Sequence, residues 1–98
     1  MATYIILGNY TQQGMDKIRG APARIDTARE VMHNLGAELK QWYLVMGEYD
    51  FVLVVEAPND ETLARLVLAM GSHGNIRTRS MRAFTEQEFR QIVTDLPY

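Results

Sequence analysis

At 98 residues, with 47% apolar side chains and a formal charge of −2, the chain reads as one folded domain that lacks the concentrated positive field needed to hold a phosphate backbone. The absence of cysteine excludes disulfides, iron–sulfur clusters and thiol nucleophiles. No leader pattern stands ahead of the first strand, and the longest apolar run, residues 51–55, is too short to cross a bilayer; a cytoplasmic protein without nucleic-acid or membrane partners is expected.

Residues 3–10 are β-branched and aromatic and predict a first strand. Residues 11–20 show no clean period and predict a loop or a short helical turn. A helix opens at Pro22, whose fixed φ suits a first turn. It carries Ile25, Ala28, Met32 and Leu35 on one face with Val31 beside them, and Gly36 closes it. Residues 37–46 form the second strand, Gly47-Glu48-Tyr49-Asp50 a tight connection, and residues 51–57 the third strand. Asn59 caps the next helix, and Asp60 and Glu61 suit the positive end of its dipole. Leu63, Leu66, Val67 and Met70 make its buried stripe before Gly71 and Gly74 end it. Residues 75–84 are the fourth strand. Thr85-Glu86-Gln87-Glu88 is a capping box for a last helix bearing Phe89, Ile92, Val93 and Leu96 on one face, with Pro97 as its stop.

The order β-α-β-β-α-β-α predicts a single α+β domain over residues 1–98, a ferredoxin-like βαββαβ sandwich with an extra C-terminal helix. In strand three, Phe51, Leu53 and Val55 point one way and Val52 and Val54 the other, so both faces are apolar. In strand one, Ile5 and Leu7 oppose Tyr4, Ile6 and Tyr10 in the same manner. Two helices cover one face only, and an apolar face of that size is rarely left to water. Either the C-terminal helix folds over it or a second subunit does; self-association is the expected answer.

Gly47, Tyr49 and Asp50, with Glu48 between them, form a signature. Thr11 with Gln13-Gly14, Pro22-Ala23-Arg24, Gly74-Asn75-Ile76-Arg77-Thr78 and Phe84-Thr85 accompany it in order. With these motifs the chain resembles the GYD-domain proteins over nearly its whole length. The resemblance implies a ferredoxin-like fold of the dimeric α+β barrel type. It carries over no catalytic residue.

Candidate sites follow from the residues themselves. Glu48 and Asp50 flank the Tyr49 phenol at one sheet end. They make either an ordinary hairpin turn or a ligand-facing acid pair, too few for a dedicated cation site. The Thr11-Gln12-Gln13-Gly14 segment is either a side-chain-capped turn or a backbone cradle for an anion, and it lacks the lysine of a P-loop. Arg24 lies about 40° from the centre of its helix's apolar stripe and needs a partner, either a carboxylate such as Asp50 or a bound anion. Arg77 and Arg79 face the same way on strand four, as edge guards or as a positive wall for an anion. Trp42 and Tyr43 point to opposite faces. His33 and His73 sit on separate helices without ligand spacing, so no metal is expected, and no cofactor.

These readings converge on a homo-oligomeric small-ligand-binding or accessory module whose subunits pair through the sheet. Its pocket is expected to be lined by Tyr10, Thr11, Gln13, Arg24, Tyr49 and Asp50 and to take a small anionic or aromatic ligand. The alternative is a cofactor-independent dimeric-barrel enzyme acting on a small carbonyl or aromatic compound, with Tyr49 or Asp50 moving protons. A purely structural assembly protein without a pocket is the third reading.

Overall fold

In the computed structural model, which describes residues 1–98, strand β1 (Ala2–Tyr10) lies between β3 (Phe51–Ala57) and β4 (Ile76–Ala83). Strand β2 (Glu38–Leu44) flanks β3. The sheet order is β2-β3-β1-β4, with every pair antiparallel. Helices α2 (Ala21–Asn34) and α3 (Asp60–Ser72) cover one face, which completes the ferredoxin-like sandwich. Residues 11–20 take the helical of the two alternatives: a five-residue helix α1 (Gln12–Asp16) and a 3₁₀ turn (Ile18–Gly20) lead straight into α2.

The start and stop signals act locally. Asn59 Oδ1 accepts the Thr62 N–H at 2.9 Å and starts α3. Thr85 and Glu88 exchange both bonds of the capping box that starts α4 (Glu86–Thr94). At the end of α2, Gly36 takes φ +78. The Gly36 N–H donates to the His33 carbonyl at 3.0 Å and the Ala37 N–H to the Met32 carbonyl at 2.8 Å, a Schellman close in which buried Ala37 meets buried Met32.

Ile6, Val55, Met32 and Leu66 form the centre of the core, with Tyr4, Leu53 and Leu63 around them. A bulge at Lys40, between Leu39↔Val55 and Gln41↔Val54, shifts the alternation of β2. Leu39 and Trp42, three residues apart, both face the helices, while Tyr43 turns outward and is 52% exposed. The Lys40 ammonium stands 3.7 Å from both Glu38 and Glu56, carboxylates paired directly across the ladder.

The opposite face stays uncovered. Ile5, Leu7, Val52 and Val54 run across its centre in direct register, with Met81 and Tyr43 at its flanks. The last helix does not fold over it, contrary to one of the two covers the sequence allows. Helix α4 contains no buried residue, and Phe89, Ile92, Val93 and Leu96 are all 45–59% exposed. It follows from β4 as an arm on a molecule 52 Å long and 18 Å thin.

The Tyr4 hydroxyl donates to the Asp60 carboxylate from beneath the start of α3. That bond, helped by burial and by the Asp60 charge, raises the phenol above its ordinary value of 10.0. A raised folded value stabilises the fold below the unfolded value and withdraws that stability as pH climbs through the folded one. Tyr4→Phe is therefore expected to cost about 1–2 kcal/mol near neutral pH. Above pH 10 the wild type should lose stability that the variant does not, as read by urea denaturation across pH.

Candidate functional site

Helices α2 and α3 splay apart above the β1–β3 end of the sheet and leave a half-open cavity of about 480 Å³. Its floor is aromatic. The Tyr10 and Phe51 rings stand 5.2 Å apart, centre to centre, and Trp42 stacks on Phe51 at 5.9 Å. Gly8 makes this floor possible, since a Cβ there would lie 2.1 Å from Phe51 Cζ. Ile25, Ala28 and Val31 of α2 form one wall, and Leu66, Ala69 and Met70 of α3 the other. The small side chains at Ala28 and Ala69 leave the space. Val31, exposed at 41% although it lies on the predicted stripe, borders this cavity.

The polar lining residues are Gln13, Lys17, Arg24, Thr27, His73 and Asn75. No carboxylate lines the cavity. Arg24 Nη1 donates to the Lys17 carbonyl at 3.1 Å, and its Nη2 is buried without a partner. Burial pushes the Tyr10 phenol above 10.0, the Arg24 charge draws it back, and the Asp50 charge pushes it up again. The phenol is thus a protonated hydrogen-bond donor at neutral pH.

Of the six residues expected to line a pocket, Tyr10, Gln13 and Arg24 border the cavity. Thr11, Tyr49 and Asp50 do not, and hydrogen bonding explains two of the three. Thr11 caps α1, accepting the Gly14 N–H at 3.1 Å and donating its hydroxyl to the Gly74 carbonyl at 2.6 Å. Asp50 latches the hairpin to β1. Its Oδ2 accepts the Tyr10 N–H at 2.9 Å, and its own N–H reaches the Gly8 carbonyl at 2.8 Å and Asn9 Oδ1 at 3.0 Å. The Asp50 carboxylate is therefore committed to backbone, and no Arg24–Asp50 ion pair forms. Arg77 and Arg79 stand opposite Asn9 and Leu7 on the uncovered face, away from the cavity, so they form no wall for it. His33 and His73 remain on separate helices, and no three metal-ligating side chains converge.

Sequence reasoning treats Trp42 and Phe51 as packing and misses their part in the floor. Two signals were present: a glycine in β1 across from an aromatic residue in β3, and alanines on both helix faces where leucines would close a core.

Comparison with known proteins gives concordant results. The sequence model of a family described as GYD domain matches residues 4–93. A Thermus thermophilus protein named "glutamine synthetase and cystathionine beta-lyase binding protein" is 36% identical over 84 residues, 85% of this chain and 88% of that one. Among solved structures, the feast or famine regulatory protein of M. tuberculosis, complexed with L-methionine, superposes with a TM-score of 0.66 at 22% identity, over 87% of this chain and 51% of that one. This chain thus spans about half of that regulator's length, and the likeness is one of fold. A hypothetical protein from Pyrococcus horikoshii superposes with a TM-score of 0.54 at 28% identity, over 88% and 93% of the two chains.

Proposed function

The chain belongs to the GYD-domain family, and on that premise we propose that it is a self-associating accessory module, two copies closing over each other's sheets and each carrying a small molecule between sheet and helices. The observation that carries this reading is the double vacancy on either side of one sheet. One face is apolar and uncovered; the other holds a cavity with an aromatic floor and two cations in its lining.

A second copy suits the uncovered face because the face is complementary to itself. Arg77 and Arg79 occupy the β4 corner, and Glu38 and Glu56 the diagonally opposite β2 corner, with Ile5, Leu7, Val52 and Val54 between them. A two-fold axis lying between the sheets, at right angles to that diagonal, sets the basic corner of one copy over the acidic corner of the other. The accessory role draws on the Thermus thermophilus relative, whose name describes binding to glutamine synthetase and cystathionine beta-lyase. Carriage is favoured over turnover because Tyr49 and Asp50, the residues that would move protons in the enzyme reading, lie outside the cavity lining.

Native mass spectrometry of the protein as purified is the test. A dimer, or a multiple of it, with an added non-covalent mass is expected. A bare monomer would remove both halves of the reading.

A further inference from the structure

We propose that the cavity is built for a small carboxylic acid with an apolar body, the carboxylate held by Arg24 and the Tyr10 phenol and the body laid against Trp42, Phe51 and Met70. This deepens the ligand-carrying reading above and rests on it.

The charge pattern sets the sign of the ligand. Lys17 and Arg24 are the only formally charged side chains in the lining. Arg24 Nη2 is buried with no acceptor from the protein, and buried polar groups in native structures nearly always have one from protein, water or a bound group. The Tyr10 phenol, lifted above 10.0 by its burial, stays protonated and adds a second donor on the same side. One buried guanidinium nitrogen and one neutral hydroxyl supply the two donors that a carboxylate accepts.

The walls set the rest. Fourteen of the twenty lining residues are hydrophobic, and about 480 Å³ lies within the usual range for small-molecule pockets, about 300–1,000 Å³. Aromatic faces on Trp42 and Phe51 favour a flat or branched apolar group. A free amino acid fits poorly, because its ammonium group would enter a lining that has no carboxylate and already carries two cations.

Trp42 is the sole tryptophan and part of the floor, so its fluorescence reports occupancy. The whole protein would be titrated with phenylacetate, phenylacetamide and L-phenylalanine, with calorimetry as a second readout. Phenylacetate is expected to shift Trp42 emission and to bind at least tenfold tighter than either of the other two. Arg24→Met, which keeps the apolar stem, should weaken phenylacetate at least tenfold and leave phenylacetamide unchanged. If acid and amide bind the wild type equally, or if the variant binds the acid as well as the wild type does, the carboxylate assignment falls while the cavity stands. If none of the three binds protein confirmed free of co-purified ligand, the carrying role falls as well. Should Arg24→Met fail to fold, the acid–amide comparison on the wild type decides alone.

Discussion

Val54→Lys is expected to turn the assembly into monomers. Val54 sits at the centre of the uncovered face, between Ile5 on β1 and Gln41 on β2, and points away from the helices. In a single copy the lysine tip reaches water, so the fold loses little. Between two sheets it becomes a buried charge without a partner, which costs about 3–5 kcal/mol. Since about 1.4 kcal/mol is a tenfold change in affinity, the dissociation constant should rise about a hundredfold or more. Dilution series in analytical ultracentrifugation would show it, with circular dichroism confirming intact folding. Ala64→Lys, on the exposed side of α3, serves as the control that leaves assembly unchanged. A Val54→Lys protein that still associates like the wild type would place the interface elsewhere.

Gly14→Ala should be the most damaging single-methyl change in the molecule. A Cβ on Gly14 would stand 1.9 Å from the Asn75 carbonyl oxygen and 2.8 Å from its carbon. The obstacle is backbone, so no side-chain rotation relieves it. Helix α1 would have to lift off the start of β4, breaking the Thr11 N–H bond to the Asn75 carbonyl at 3.0 Å and the Thr11 hydroxyl bond to Gly74. Gln13, whose Nε2 holds the His73 carbonyl at 2.9 Å and Asn75 Oδ1 at 3.0 Å, would be displaced with it. Overpacking of this kind costs about 1–3 kcal/mol. For a domain of this size each kcal/mol lowers the melting temperature by about 4–8 °C, so a fall of about 4–24 °C is expected in a thermal melt. A variant that melts with the wild type would mean that α1 adapts without strain.

Much of this fold was legible because its signals are local. Asn59, Thr85 with Glu88, and Gly36 each announce a helix end through a side chain or a φ that acts within a few residues. The alternation in β1 and β3 likewise predicts the apolar residues that the structure shows on both faces of the sheet. What stayed hidden was decided across the chain. The bulge at Lys40 sets which way Trp42 faces, yet no residue in β2 marks it. Helix α1 is held by bonds to Gly74 and Asn75, some sixty residues away, so its own period is silent. Asp50 looked chemical beside Glu48 and Tyr49; its commitment to the Tyr10 N–H depends on strand register. Arg24 reads in the sequence as an inward cation that needs a carboxylate or an anion; the folded chain instead gives one nitrogen the Lys17 carbonyl and leaves the other bare.

The free-standing α4 has a consequence for how the chain fluctuates. Nine residues are fewer than the roughly 12–15 a helix needs to persist alone in water, and its support is local: the capping box and the Glu86–Arg90 pair at 2.7 Å. In an isolated copy, then, its amides should trade hydrogen for deuterium within seconds while those of β1 and β3 hold theirs, and a protease should trim the chain near Phe84 before it cuts anywhere else. Packing against a second copy would slow both processes together, so the tail's exchange rate becomes a gauge of how much of the protein is paired at any concentration.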